Sequence, residues 1–306
     1  MKILVCDQIS QDGIDLLRSS KAEFEYAPEI SHDELATKIS DFEAIIVRSR
    51  TRVTKDLLLR ANRLRIVARA GVGVDNIDVE FAKERGIEVV NTPDALTNAV
   101  AEFTIGLMID LSRSITNAAT RLRNMEWKKA QFVGSELQGK VYGAIGVGRI
   151  GRRVIELAHA FGMKIIAHDI VEIPKEFTSS YEVEMTNQDE VFRRADFLDL
   201  HVPLTNETRH LVNREKIEMM KQSAFLVNTS RGQVIDEQAL LVALEKERIA
   251  GAALDVFETE PPTRESLLQN KRVIPTPHIA GQTLEAQSKA AISAVRQVLD
   301  FLSIKT

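Results

Sequence analysis

Gly143-Ala144-Ile145-Gly146-Val147-Gly148-Arg149-Ile150-Gly151 decides the reading of this 306-residue chain. It holds G-x-G-x-x-G at Gly146, Gly148 and Gly151. The apolar stretch 141–147 reads as a strand, and 152–161 as a helix ended by Gly162. A second apolar run, 164–167, leads to Asp169, about 20 residues past the glycines, as a dinucleotide-binding βαβ unit requires. Gly146 permits the tight turn, Gly148 lets the backbone approach a pyrophosphate, and Gly151 lets helix and strand pack closely. The pyrophosphate is expected on the helix N-terminus, where free N–H groups and the dipole favour an anion. A carboxylate at Asp169 accepts both ribose hydroxyls of an adenosine and repels a 2′-phosphate, which points to NAD rather than NADP. The plainer alternative is a loop aspartate that caps a turn.

The fingerprint lies in mid-chain, so another folded unit is expected before it. Short apolar strands alternate with helical stretches throughout, the pattern of an α/β protein with parallel sheets covered on both faces. In the first third, strands are expected at 3–6, 24–26, 44–47, 66–70 and 89–90. A single amphipathic helix is expected from 98 to about 121. The fingerprint domain continues with strands at 164–168, 183–185, 197–202, 224–228, 251–255 and 273–275, and the chain ends in a helix at 284–301.

Hydrophobic residues make up 44% of the chain and charged ones 27%, as in a globular protein. The net charge of −4 speaks against a nucleic-acid or membrane surface. The single cysteine, Cys6, sits in the opening strand and excludes an intramolecular disulfide; a buried, inert thiol is expected. The first residues begin a strand without a signal-peptide pattern, so a cytoplasmic location is expected.

Three residues each follow an expected strand: Arg231, Glu260 and His278. Hydride transfer at a hydroxy acid needs these three groups. A guanidinium holds the substrate carboxylate and polarises the developing carbonyl. An imidazole takes the hydroxyl proton near neutral pH. A carboxylate on the other ring nitrogen fixes the tautomer and favours the cation that forms. Upstream, Arg48, Arg50 and Arg52 cluster at a strand end, and Arg48 with Ser49 is the better-placed candidate for a substrate phosphate. Arg50 and Arg52 are expected to be solvated. His201 reads as a structural histidine at a strand end.

Asn228-Thr229-Ser230-Arg231-Gly232, 253–261, Thr276-Pro277-His278-Ile279-Ala280-Gly281, 47–54 and 69–78 together resemble the signatures of the D-isomer-specific 2-hydroxyacid dehydrogenases. The resemblance covers essentially the whole chain. It implies two Rossmann-like domains, one flavodoxin-like for substrate (1–98 and 283–306) and one for NAD (99–282), with the active site in a cleft between them. It also implies a homodimer through the nucleotide domain. Arg231 would orient the substrate, His278 would act as acid and base, and Glu260, rather than Glu258, would pair with it, because the family places that glutamate immediately before the proline. Implied cofactor contacts are Gly146, Gly148, Arg149, Ile150, Gly151, Asp169, Val202, Pro203, Thr229, Asp255 and Gly281. Implied substrate contacts are Arg48, Ser49, Val72, Gly73, Asn76 and Arg231. The stretch after His278 suffices for a closing helix alone, so a short form without a regulatory domain is expected. The expected substrate is a small phosphorylated 2-hydroxy acid, D-3-phosphoglycerate. A glyoxylate or hydroxypyruvate reductase and a non-enzymatic, corepressor-like NAD(H)-binding protein stay open as alternatives.

Overall fold

The computed structural model describes residues 1–303. Residues 304–306, which the expected substrate domain includes, lie outside the described residues. Contacts divide the chain into two compact units, Met1–Thr97 with Gly281–Thr306, and Asn98–Ala280.

The first unit is a five-stranded sheet of β1 (Lys2–Val5), β2 (Glu23–Tyr26), β3 (Ala44–Val47), β4 (Ile66–Arg69) and β5 (Glu88–Asn91). The order is β2-β1-β3-β4-β5, and every pairing is parallel. Its central strands are continuous apolar runs because helices cover both faces. Alternate residues go to opposite sides. Ile3, Val5, Ala44, Ile46, Ile66 and Ala68 pack under Ala290, Ala294, Val295 and Val298 of the helix Leu284–Phe301. Leu4, Ile45, Val47 and Val67 face Leu35, Leu57 and Leu58. The returning chain therefore completes a face that Ile14 and Leu17 of the helix Gln11–Ser19 cover only in part.

The second unit is a seven-stranded parallel sheet: β6 (Val141–Ile145), β7 (Lys164–His168), β8 (Val183–Met185), β9 (Phe197–Leu200), β10 (Phe225–Asn228), β11 (Gly251–Leu254) and β12 (Val273–Pro275). Its order is β12-β11-β10-β9-β6-β7-β8. The chain builds outward from β6 in one direction, then restarts at β9 on the other side, which leaves a switch point between β6 and β9.

Two expectations are corrected. The helix expected at 98–121 is two helices, Thr97–Arg113 and Ile115–Arg123, broken at Ser114, whose φ of 52° is left-handed. Asp110 supports the break: its carboxylate takes the Thr116 amide (2.9 Å) and the Thr116 hydroxyl, past the end of its own helix. A short polar side chain thereby offers the backbone an alternative to a continued helix. The helix after the glycine turn begins at Arg149, not 152, so Gly151 lies inside its first turn. Among the described residues, no helix is long and apolar enough to cross a membrane.

Candidate active site

The register aligns Ile145 with Leu200 on one side and His168 on the other, so the loops that follow β6, β7 and β9 leave the sheet together at the switch point. Gly146 opens the first loop at φ 96°, and a Cβ there would meet the His201 carbonyl oxygen at 2.5 Å; only glycine fits both constraints. The helix Arg149–Ala160 has Gly148 as N-cap and no side-chain cap. Neighbouring helices of the unit, beginning at Gln188, Arg214 and Glu237, are capped by Asn187, Asn213 and Asp236. A Cβ on Gly148 would meet nothing within 4 Å. Uncapped amides beside open space suit a pyrophosphate. Arg149 is exposed and Ile150 half-buried in the same turn.

Asp169 follows β7 and accepts from the Val147 amide at 2.6 Å and the Val171 amide at 2.9 Å. It therefore ties down the glycine turn, and each carboxylate oxygen keeps a lone pair for a ribose hydroxyl. Val202 is half-buried and Pro203 exposed in the loop after β9, where the Pro203 carbonyl accepts from the Thr208 hydroxyl at 2.6 Å. Thr229 is buried, its hydroxyl 3.2 Å from that of Thr104. These residues and the bound group they suit are compatible. Gly281 belongs to the first unit and packs against Leu96.

Asp255 departs from expectation. Its side chain is fully buried and is committed to protein rather than presented to a cofactor. Oδ1 takes the Thr276 hydroxyl (2.7 Å) and the Ile279 amide (2.9 Å), and Oδ2 takes the Ala280 amide (2.8 Å). Hydrogen bonds to a charged group are worth about 1.5–3 kcal/mol each, so this carboxylate firmly anchors the loop that carries His278. The Asp255 carbonyl also accepts the His278 amide at 2.8 Å. His278 itself is held at φ 54°, a left-handed conformation that a non-glycine residue keeps only when its surroundings impose it.

The imidazole so placed meets Glu260: Nδ1 lies 2.7 Å from Oε2, with the histidine side chain half exposed. That contact uses Nδ1 and does not involve Nε2. The other oxygen of Glu260 accepts the Phe257 amide at 3.2 Å. Burial works to raise the Glu260 carboxyl, but the hydrogen bond and charge of His278, the Phe257 amide and the charge of Arg231 outweigh it and hold the group below the usual carboxylate range. The Glu260–Pro261 peptide is cis. Glu258 is engaged elsewhere, with His210 at 2.8 Å and the Glu237 amide at 3.4 Å.

Arg231 is positioned by Asn228, a buried residue at the end of β10. Asn228 Nδ2 donates to the Arg231 carbonyl (2.9 Å), and its Oδ1 accepts from the amide and hydroxyl of Ser230. Gly232 follows because a Cβ there would run into the Phe257 backbone. The loop bearing Arg231 and the loop bearing Glu260 therefore touch backbone to backbone. Arg231, Glu260 and His278 are brought together within the second unit.

Arg48, Ser49, Val72, Gly73 and Asn76 lie in the first unit. Asn76 Nδ2 is spent on the carbonyls of Arg48 (2.7 Å) and Thr51 (2.6 Å). Val72 and Gly73 are half-buried and Ser49 is exposed. Arg50 is exposed, as expected, but it also donates to the carbonyls of Ile30, Cys6 and Pro28 and pairs with Asp7. His201 is structural, its buried Nε2 2.7 Å from Asp199. The sequence reading missed Asn228 as an organiser of the Arg231 loop and Asp7 altogether. An aspartate directly after an apolar strand is the signal that the sequence offers for Asp7.

Asp169→Ala should weaken NAD binding at least tenfold and bring the NAD and NADP affinities closer together, measured by titration of NADH and NADPH fluorescence. An unchanged preference would leave Asp169 only its turn-capping role.

The family model described as "D-isomer specific 2-hydroxyacid dehydrogenase, NAD binding domain" matches residues 105–280. A D-3-phosphoglycerate dehydrogenase of Methanocaldococcus jannaschii is 48% identical over 97% of this chain, which spans 57% of that relative's length. A hydroxypyruvate reductase of Thermotoga maritima is 43% identical over 99% of both chains. The crystal structure of a Thermus thermophilus protein superposes with a TM-score of 0.91 at 33% identity, covering 99% of this chain and 97% of that one. This chain belongs to the D-isomer specific 2-hydroxyacid dehydrogenases and carries their NAD binding domain.

Proposed function

We propose that this protein is an NAD-dependent D-2-hydroxyacid dehydrogenase that oxidises D-3-phosphoglycerate to 3-phosphohydroxypyruvate, the step that opens phosphorylated serine biosynthesis. The observation that carries the chemistry is the His278–Glu260 pair at 2.7 Å with the charge of Arg231 acting on the same carboxylate. When bound, NAD supplies the hydride acceptor. Arg231 holds the substrate carboxylate and meets the 2-oxygen as its carbonyl develops. Nε2 of His278 takes the hydroxyl proton, a role typically worth ~10²–10⁴-fold in rate. Glu260 holds the imidazole through Nδ1 and stabilises the imidazolium that forms.

The phosphorylated substrate is supported by Arg48, whose guanidinium is partly desolvated and loosely held, at 3.2 Å from the Gln8 carbonyl and 3.5 Å from Gln282 Oε1. Burial lowers its pKa, with Asp7 opposing. A hydroxypyruvate reductase is the second reading, favoured by the Thermotoga maritima relative, which matches along its full length.

The protein is proposed to dimerise through the second unit. The helix Ile115–Arg123 buries none of its residues. Beyond it Met125 (90% exposed), Trp127 (80%) and Val133 (89%) present apolar surface that a second copy of this chain would cover.

Glu260→Gln should move the acidic limb of the kcat/KM profile to lower pH, because the charge that favours the imidazolium is gone; an unmoved limb would remove Glu260 from the pair. With NADH, 3-phosphohydroxypyruvate should be reduced with a higher kcat/KM than hydroxypyruvate or glyoxylate, and the opposite order would establish the second reading. Arg48→Ala should raise KM for 3-phosphoglycerate at least tenfold more than for D-glycerate. Light scattering should give a two-chain mass that Trp127→Glu halves; a wild-type monomer at all concentrations would overturn the dimer.

A further inference from the structure

Three arginines, Arg48, Arg50 and Arg52, crowd the loop after β3, yet charge alone does not say which of them meets an anion. The answer lies in Asp7, 2% exposed, at the carboxyl end of the neighbouring strand β1. Its Oδ2 accepts the Arg48 amide at 2.5 Å and the Thr51 amide at 3.2 Å. Its Oδ1 accepts the Thr51 hydroxyl at 2.7 Å and lies 3.2 Å from Arg50 Nη2. From the other side Asn76 holds the carbonyls of the same two residues. Residues 48–51 are thus gripped at both ends, through their amides by one side chain and their carbonyls by another.

The charge count follows from the same contacts. Arg50 neutralises Asp7 and also donates to three carbonyls. Arg52 is exposed. Of the three, Arg48 keeps a partly desolvated positive charge held by long contacts. A buried carboxylate that fixes a turn and cancels the adjacent guanidinium leaves a single preorganised cation, which is what discrimination for a dianionic group over a hydroxyl requires.

We propose that Asp7 is a positioning residue for substrate selectivity: it builds the turn from which Arg48 reads the phosphate, without touching substrate itself. The proposal rests on the reading that Arg48 takes the phosphate. Neither residue belongs to the unit that carries Arg231, Glu260 and His278, so the effect is expected in KM for the phosphorylated acid and not in turnover.

The test is a double-mutant cycle on the full chain with NAD, comparing KM for 3-phosphoglycerate with KM for D-glycerate. Asp7→Asn keeps one carbonyl oxygen for the two amides and removes the charge, so it is the variant expected to fold; Asp7→Ala removes the whole grip. The 3-phosphoglycerate/D-glycerate KM ratio should rise about 5–10-fold in Asp7→Asn and further in Asp7→Ala. In the Arg48→Ala background the Asp7→Asn change should produce no additional rise, because the group it positions is gone. If Arg48→Ala leaves the ratio unchanged, the phosphate reading itself fails. If Arg48→Ala raises the ratio but Asp7→Asn leaves it unchanged, or raises it equally with and without Arg48, the positioning role is overturned while the phosphate reading stands.

Discussion

The parallel pairing of β6 with β9 is the constraint on which the second unit depends. Parallel strands send every following loop to the same edge of the sheet, and reversal of strand order there separates two neighbouring loops. The glycine turn after Ile145 and the His201 loop after Leu200 emerge side by side for that reason, and the Gly146 backbone sits directly on the His201 carbonyl. The strands outward from β9 continue the register, Leu200 opposite Asn228 and Asn228 opposite Leu254, so the remaining loops join the same edge.

Backbone hydrogen bonds carry that order beyond the strands. The Asp255 amide reaches the Asn228 carbonyl at 3.0 Å, and the His278 amide reaches the Asp255 carbonyl at 2.8 Å. Arg231, Glu260 and His278, far apart in the chain, are therefore held on three successive and mutually bonded loops. Two buried polar side chains, Asn228 and Asp255, complete the arrangement from below. Their groups are satisfied by the loops they hold, as buried polar groups must be. The imidazole and carboxylate above them stay partly exposed.

Much of this was legible in sequence because it is local. The glycine spacing, Asp169 and the apolar runs mark a nucleotide fold with short-range signals. The motifs around Arg231, Glu260 and His278 were legible as chemistry, since each follows a strand. What failed to show was side-chain traffic between distant segments. The side chain of Asp110 supports a break in a helix that periodicity alone would continue to about residue 121. Asp255 reads as one more cofactor contact until its carboxylate is found inside the Thr276–Ala280 loop. Arg50 reads as a solvated charge, and though exposed it is also a strut across the carbonyls of Cys6, Pro28 and Ile30.

Sequence by itself determined the α/β class, the nucleotide-binding turn and the candidate site residues, because periodicity and motif spacing are properties of neighbouring residues. The Glu-Pro motif already pointed to Glu260 over Glu258, and tertiary structure supplies the physical reason: it turns Glu258 toward His210 and Glu260 toward His278. Tertiary structure also decided that Arg50 is the arginine already engaged, since Asp7, some forty residues away in sequence and one strand away in space, pairs with it. Charges are legible along a chain; their partners are set by the packing that buries them.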